Sequence, residues 1–194
     1  MLQFITHKSD RFSYAEQVKM VIEGGCRWVQ LNMENATDDE FKKVAEEITP
    51  LCQETDTILV FDGRVELTMD MKVHGVHLHR TNMPAGQARE FLGAGAIIGV
   101  TVNTATEIMA TRGLDVDYVT LACDLTTNDY KRIVNEVRIA GIELPIVAAG
   151  DISIQEIPQL LSDGVNGIAL SKSIVDAENP VAFTREVISV LYGE

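Results

Sequence analysis

Short apolar runs alternate along the chain with segments that have helical spacing. The clearest example lies near the middle, where Val76 and Leu78 alternate with His77 and His79. That period of two predicts a strand whose two faces meet different surroundings. The apolar residues that follow recur at helical spacing until another strand is predicted at 97–102. This segment therefore predicts the order strand, polar tip, helix, strand.

The same order repeats through the whole sequence and gives eight strand–helix units. The predicted strands lie at 2–6, 28–31, 58–61, 76–79, 97–102, 118–121, 145–148 and 167–170. The predicted helices lie at 14–23, 37–55, 65–72, from 84 onward, 104–112, 129–140, 153–161 and 180–192. Thr37 with Glu40, and Ser153 with Glu156, have the spacing of capping boxes and support two of the helix starts.

Eight units in 194 residues average about 24 residues each. We predict one α/β domain over 1–194, a (β/α)₈ TIM barrel with parallel strands, although such barrels typically need about 250 residues. A doubly wound open sheet is the alternative. The count of eight and the lack of a GxGxxG motif after the first strand favour the barrel.

The composition limits the partners. A formal net charge of −13 argues against nucleic acid and anionic membrane surfaces. No apolar run approaches the roughly 20 residues that span a bilayer, and the N-terminus lacks the pattern of a signal peptide. We expect a cytoplasmic protein with a small-molecule ligand, and the sequence leaves a homo-oligomer open.

Polar side chains follow or end several predicted strands. In α/β barrels the ligand site is built at the carboxyl ends of the strands. We therefore predict that ligand is contacted there, although polar residues also occupy such ends because water reaches them. The candidates on the first strands and loops are Gln30, Asn32, His77, His79, Thr101 and Asn103.

A second group of candidates follows the seventh and eighth strands, where these barrels often bind phosphate. Gly150 and Asp151 precede one helix start, and Ser171 and Lys172 end the last strand. Glycine allows the backbone to approach an anion closely, and lysine adds a favourable charge. A plain turn with a capped helix is the alternative.

Histidine and cysteine leave further alternatives open. His77 and His79 could bind a metal together with Asp62, or could be hydrogen-bonded structural residues. The three cysteines, Cys26, Cys52 and Cys123, form no CxxC pair, so neither a disulfide framework nor a zinc site is indicated. Cys123 could be a nucleophile, but a small buried residue fits its surroundings better.

Several segments, in this order, resemble the thiamine-phosphate synthase/TenI family. They are WVQL at 28–31, DGRVEL at 62–67, GVHLHRTNMPAGQAR at 75–89, IIGVTVNT at 97–104, PIVAAGDI at 145–152 and GVNGIALSKSI at 164–174. The resemblance implies a barrel and a role in thiamin biosynthesis. Synthases of this family join hydroxymethylpyrimidine diphosphate to thiazole phosphate and release pyrophosphate, with magnesium.

The resemblance also implies roles for individual residues. Gln30 and Asn32 would contact the pyrimidine diphosphate, and Gly150 with Ser171 would hold the thiazole phosphate. Asp62 matches one magnesium-binding aspartate of the family. The cofactor implied is therefore Mg²⁺, and the ligand is a small phosphorylated pyrimidine or thiazole.

The chain departs from the family pattern at charged positions. Where the family has QLRxK, this chain has Asn32 and Glu34 in place of the two cations, and Asn82 stands at the second magnesium aspartate. Thr126 and Thr127 are kept from the family's phosphate-binding loop, whose full pattern is absent. Losing one charge-stabilising group commonly costs about 3–4 kcal/mol in the transition state, so reduced coupling is predicted.

Two other functions remain open. A catalytically silent protein that binds phosphorylated ligands would keep the barrel without the cations. A TenI-like thiazole tautomerase would need a proton-transfer residue in the mouth, and His77 or His79 would have to serve.

Overall fold

The computed structural model describes residues 1–121 and 125–193. Within these ranges eight parallel strands close into a barrel and follow one another in sequence order around it. β1 pairs with both β2 and β8, which confirms the predicted (β/α)₈ barrel over the open sheet. The strands are β1 (Leu2–Ile5), β2 (Trp28–Leu31), β3 (Ile58–Asp62), β4 (Gly75–Leu78), β5 (Ile97–Val102), β6 (Tyr118–Leu121), β7 (Ile146–Ala149) and β8 (Gly167–Leu170).

A layer of helices surrounds the strands. One helix, α8, was not predicted, because four residues are too few to produce a periodic pattern. In the part of the chain that is described, no helix combines the length and apolar character needed to cross a bilayer. The helices are α1 (Tyr14–Glu23), α2 (Asp38–Glu54), α3 (Val65–Met71), α4 (Ala85–Leu92), α5 (Ala105–Ala110), α6 (Thr127–Ile139), α7 (Ile157–Ser162), which a 3₁₀ turn at Ile154–Glu156 precedes, α8 (Lys172–Val175) and α9 (Pro180–Tyr192).

Side-chain caps fix where the loops enter the helices. Thr37 N donates to Glu40 Oε2 at 2.8 Å, and Glu40 N donates to Thr37 Oγ1 at 3.2 Å. Ser153 N likewise donates to Glu156 Oε2 at 2.9 Å. Both predicted capping boxes are confirmed. Such caps satisfy backbone N–H groups that the first helical turn leaves unpaired.

The alternation along each strand separates two packed layers. Val29 and Leu31 are fully buried between the barrel and the helices. Residues of the opposite parity point into the barrel, as strand geometry requires. Trp28 and Tyr118, the first residues of β2 and β6, pack in that interior, and their rings meet edge to face with centroids 4.7 Å apart. The mouth of the barrel lies at the opposite, carboxyl end of the strands.

Tyr118 fits inside the barrel because its neighbour on β5 has no side chain. Gly99 is paired in register with Tyr118. A Cβ atom on Gly99 would lie 2.0 Å from Cζ of the Tyr118 ring, and the backbone conformation of Gly99 does not itself require glycine. The constraint at this position is therefore space rather than backbone geometry.

We expect Gly99→Ala to lower the free energy of unfolding by about 1–3 kcal/mol, the usual effect of overpacking a core. Gly95→Ala is the matched control, because a Cβ there would meet nothing within 4 Å. The control should change stability by less than about 0.5 kcal/mol. Urea denaturation of both variants makes the comparison, and equal stabilities would contradict the packing account.

Candidate functional site

Seven side chains in the barrel interior and at its carboxyl end are joined by hydrogen bonds, and we call them the mouth network. They come from β1 to β6 and the residues directly after β4, so the closed barrel brings together distant parts of the chain. Four of them were predicted ligand contacts and one was a predicted metal ligand. The members are Gln3, Gln30, Asp62, His77, His79, Thr101 and Tyr118.

Asp62 anchors one branch of the mouth network. It ends β3, and its side chain is 14% exposed. Its Oδ2 accepts a hydrogen bond from Gln30 Nε2 at 2.7 Å and lies 3.0 Å from His79 Nε2. The hydrogen bond with Asp62 raises the pKa of His79, whose side chain is 44% exposed at the rim. His79 therefore gains positive charge more readily than a free histidine.

His77 anchors the other branch and is only 2% exposed. Its Nδ1 lies 3.0 Å from the Tyr118 hydroxyl, and its Nε2 lies 2.8 Å from Thr101 Oγ1. Burial lowers the pKa of His77 to about 4, so the ring is neutral at pH 7. Hydrogen bonds therefore hold both ring nitrogens of His77. This agrees with the alternative in which His77 is a hydrogen-bonded structural residue.

Gln3 joins the two branches. Its Nε2 donates to Gln30 Oε1 at 3.1 Å and to the Tyr118 hydroxyl at 3.2 Å. Sequence analysis missed both Gln3 and Tyr118. An amide inside an otherwise apolar strand was the available signal for Gln3, whereas Tyr118 resembles an ordinary core residue.

The remaining predicted ligand contacts lie outside the mouth network. The backbone N–H and C=O of Asn32 both bond to Thr6 Oγ1 at 2.8 Å. Asn103 N donates to a carboxylate of α5 at 2.6 Å. Thr126 caps α6 and donates its hydroxyl hydrogen to Asp129 Oδ2 at 2.6 Å, and Thr127 is the first residue of that helix.

A groove of about 710 Å³ lies beside the mouth, and we call it the β1–β2 groove. Thr6 and Asn32, which directly follow β1 and β2, line it. The two lysines in its lining were not among the predicted site residues. The lining comes from the loops after β1 and β2 and from the first turns of α1 and α2, and includes Thr6, Lys8, Asn32, Glu34, Glu40 and Lys43.

The predicted phosphate site after β7 has a backbone conformation that favours glycine. Gly150 has a φ of +142° and directly follows the strand. Asp151 is exposed. The Tyr130 hydroxyl donates to Ala149 O at 2.9 Å and fixes the end of β7. Glycine has no side chain, so none at position 150 obstructs an anion that approaches the backbone of this turn.

The predicted phosphate site after β8 lies on the neighbouring strand. Ser171 precedes α8, and Lys172 is the first residue of that helix. The Lys172 side chain is 68% exposed, with Nζ 4.0 Å from Asp176 Oδ2. Ser173 Oγ is buried and has no hydrogen-bond partner among the described residues, so it is a further candidate for contact with a ligand.

The residues predicted to bind magnesium are partly engaged by the protein. Asn82 Oδ1 accepts from His79 N at 2.7 Å, and both hydrogen bonds to Asp62 use Oδ2. No group of three or more His, Cys, Asp or Glu suited to a metal occurs within 1–121 and 125–193, so the three-residue site of His77, His79 and Asp62 is not formed. Mg²⁺ often uses one or two carboxylates and completes its shell with water and phosphate. Asp62 suits an ion of that kind.

The described cysteines are unsuited to nucleophilic chemistry. Cys26 and Cys52 are buried and free. Burial raises the pKa of Cys26 to about 11 and that of Cys52 to about 12. Both remain thiols at neutral pH, and the thiol is a poor nucleophile. Cys123, the cysteine considered as a nucleophile, lies outside the described residues.

Comparison with known proteins points to one family. The family model described as thiamine monophosphate synthase matches residues 2–174. A thiamine-phosphate synthase of Bacteroides thetaiotaomicron is 42% identical, and the match covers 97% of this chain and 96% of that protein. One from Bacteroides fragilis is 39% identical over 97% of this chain and 98% of the relative.

Solved structures agree with the sequence comparison. Thiamine phosphate pyrophosphorylase from Pyrococcus furiosus superposes with a TM-score of 0.86 at 25% identity, covering 99% of this chain and 95% of that one. A thiamine phosphate pyrophosphorylase from Bacteroides thetaiotaomicron has a TM-score of 0.75 at 14% identity, with 100% and 98% coverage. The second likeness concerns the fold alone.

The contact between His79 and Asp62 predicts the pH response of the mouth. In metal-free buffer the NMR titration midpoint of His79 should lie above about 6.5, the value for an unperturbed histidine. The contact between the two side chains therefore stabilises the fold fully below about pH 6.5, and this stabilisation is lost as the pH rises through the raised pKa of His79.

Asp62→Asn should lower the titration midpoint of His79, because the remaining burial opposes the charged form. Asp70→Asn, at an exposed position on α3, should leave it unchanged. Equal midpoints in the two variants would contradict this account.

Proposed function

Because the chain belongs to the thiamine monophosphate synthase family, we propose that it joins hydroxymethylpyrimidine diphosphate to thiazole phosphate and releases pyrophosphate. The observation that carries the proposal is the 42% identity to a named thiamine-phosphate synthase over nearly the full length of both chains. The proposal assigns a transferase reaction in thiamin biosynthesis.

The geometry is compatible with two phosphorylated substrates. The mouth network offers neutral hydrogen-bonding groups for a heterocyclic ring, since His77 is neutral and its neighbours are amides and hydroxyls. The β1–β2 groove lies on one side of the mouth, and the turns after β7 and β8 follow strands that close the barrel onto β1. We assign the diphosphate to the groove, and the thiazole phosphate to Gly150 and Ser171.

The release of pyrophosphate requires positive charge. As the bond from carbon to the diphosphate oxygen breaks, the leaving group takes the electron pair and its charge must be stabilised. Asn32 and Glu34 stand where the family resemblance implies cations. Lys8 and Lys43 line the same groove and are exposed, and we assign that role to them. Glu34 opposes the charge, so the stabilisation is weaker than two lysines alone would provide.

Magnesium belongs to the proposal through Asp62. The carboxylate would hold the ion together with oxygens of the diphosphate, since the described residues supply few other ligands. When bound, the ion supplies positive charge to the leaving pyrophosphate. Gln30 and His79 orient the carboxylate from the protein side.

Thiazole tautomerisation is a second candidate, and the contact between His79 and Asp62 favours it. A histidine at the rim, 3.0 Å from a carboxylate, has the arrangement of a general acid–base pair. Its partial exposure would let a substrate proton reach the ring. This reaction moves a proton within one substrate and releases no pyrophosphate.

The coupling assay separates these functions. Purified protein with both substrates and Mg²⁺ should form thiamine phosphate and pyrophosphate in equal amounts. Asp62→Asn should reduce kcat/KM at least about a hundredfold, because it removes a charged group from the reacting centre. Thiazole isomerisation without pyrophosphate would favour the tautomerase. Calorimetric binding without either product would identify a silent binding protein and contradict both reactions.

The lysines of the β1–β2 groove give a separate prediction. Lys8→Gln combined with Lys43→Gln should raise the KM for the pyrimidine diphosphate about tenfold, as expected for losing charge-assisted hydrogen bonds. Lys19→Gln combined with Lys42→Gln removes the same net charge from exposed helix positions that do not line the groove. The control should raise KM less than about twofold, given the screening of distant charges at physiological salt. Equal KM values in the two double variants would rule out the groove as the diphosphate site.

A further inference from the structure

The Asp62 carboxylate determines how two amide side chains are oriented. An ionised carboxylate only accepts hydrogen bonds, so the Gln30 atom 2.7 Å away must be the NH₂ nitrogen. Gln30 then presents Oε1 to Gln3, whose nearest atom, at 3.1 Å, must also be the nitrogen. Turning either amide would bring two oxygen acceptors together. The orientation of Gln3 therefore follows from a carboxylate that it does not touch.

The orientation of Gln3 leaves one of its own atoms unsatisfied. Gln3 Oε1 is buried and has no hydrogen-bond partner in the described part of the chain. The opposite orientation would not remove the conflict, because Gln30 Oε1 would then face an oxygen. An unpaired buried acceptor is costly. Because this orientation is kept despite that cost, the two hydrogen bonds that Gln3 Nε2 donates outweigh the lost hydrogen bond of Oε1.

The same reasoning continues from Gln3 to His77. The Tyr118 oxygen accepts a hydrogen from Gln3 Nε2 at 3.2 Å. Among the described residues, the other contact of that hydroxyl is His77 Nδ1 at 3.0 Å, so its single hydrogen is directed there. If Nδ1 carried a hydrogen instead, the phenol would face two donors, and its own hydrogen would be buried without an acceptor. Burial also raises the pKa of Tyr118, so the phenol keeps its hydrogen.

We propose that Gln3 and Tyr118 are positioning residues that hold the imidazole hydrogen of His77 on Nε2. That hydrogen is donated to Thr101 Oγ1, 2.8 Å away. The Thr101 hydroxyl has then accepted one hydrogen bond and keeps its own hydrogen for another partner. Thr101 thus acts as a hydrogen-bond donor in the mouth of the barrel.

A donor at this position selects ligands by their chemistry. The matching group is an acceptor with no hydrogen of its own, such as the unprotonated nitrogen of an aromatic heterocycle. The assignment of this acceptor to a pyrimidine or thiazole ring rests on the proposed function. The prediction of the His77 tautomer does not depend on that function. A ligand that offers only donors at this point would leave the Thr101 hydrogen without an acceptor and should bind more weakly.

Nitrogen-15 NMR of the ligand-free protein tests the positioning role directly. Long-range ¹H–¹⁵N spectra distinguish a ring nitrogen that carries hydrogen from one that does not. The His77 signals are assigned by their loss in His77→Gln. At pH 7 we expect hydrogen on Nε2 and none on Nδ1. The opposite tautomer, or a charged ring, would overturn the proposal.

Tyr118→Phe tests the dependence on the phenol, since it removes only the hydroxyl. We expect His77 to become a mixture of tautomers while the circular dichroism stays that of the wild type. Tyr192→Phe, at an exposed position on α9, is the matched control and should keep the wild-type tautomer. Gln3→Met, which removes the donor at similar volume, should also produce a mixture. An unchanged His77 spectrum in folded Tyr118→Phe or Gln3→Met would overturn the proposal.

Calorimetry tests the donor role of Thr101 separately. Hydroxymethylpyrimidine diphosphate and thiazole phosphate are the two probes. Thr101→Ser keeps the hydroxyl and should bind within about twofold of wild type, whereas Thr101→Val should bind one of them about tenfold more weakly. Equal binding by the two variants would overturn the donor role. If the wild type binds neither probe, the donor role and the proposed function both fail, while the NMR spectra still decide the positioning role.

Discussion

The Asp62 carboxylate is the group on which the order of the mouth depends. It lies at the end of β3, and its Oδ2 is contacted by Gln30 from β2 and by His79 from the segment after β4. A carboxylate can only accept, so it gives direction to the neutral groups linked to it. Amides and hydroxyls alone can reverse their hydrogen bonds at little cost. One charge at the edge of the network therefore makes a single arrangement more stable than its reverse.

The packing of the barrel interior explains how the hydrogen bonds ordered by Asp62 continue to His77 on the other side of the mouth. A ring of eight strands leaves room for side chains but not for a channel. Tyr118 crosses this space because Gly99 has no side chain beside it and small residues line β7 and β8. Its ring packs on Trp28 below, while its hydroxyl contacts Gln3 and His77. The same residue thus fills the core and connects Gln3 with His77 in the mouth network.

Much of the fold follows from local pattern, whereas much of the site does not. The alternation around Val76 and His77 was sufficient to predict that these two residues lie on opposite faces of a strand with different surroundings. Hydrogen bonds between residues distant in sequence are invisible to such reasoning. Gln3 and Tyr118 are 115 residues apart and meet only because the ring closes. Helix α8 was missed for a different reason, since a single turn carries no period.

Neutral groups occupy the barrel interior, whereas the charged groups that could meet a phosphate lie on exposed loops and helices. An ionised group is costly to bury, so the interior relies on neutral His77, amides and hydroxyls, with Asp62 and His79 nearer the rim. The lysines that could meet a phosphate lie instead on the loop after β1 and on α2, where water solvates them when no ligand is bound. Changes at such exposed positions usually have little effect on stability. The charges on these loops can therefore differ from one chain of this fold to another without disturbing the barrel.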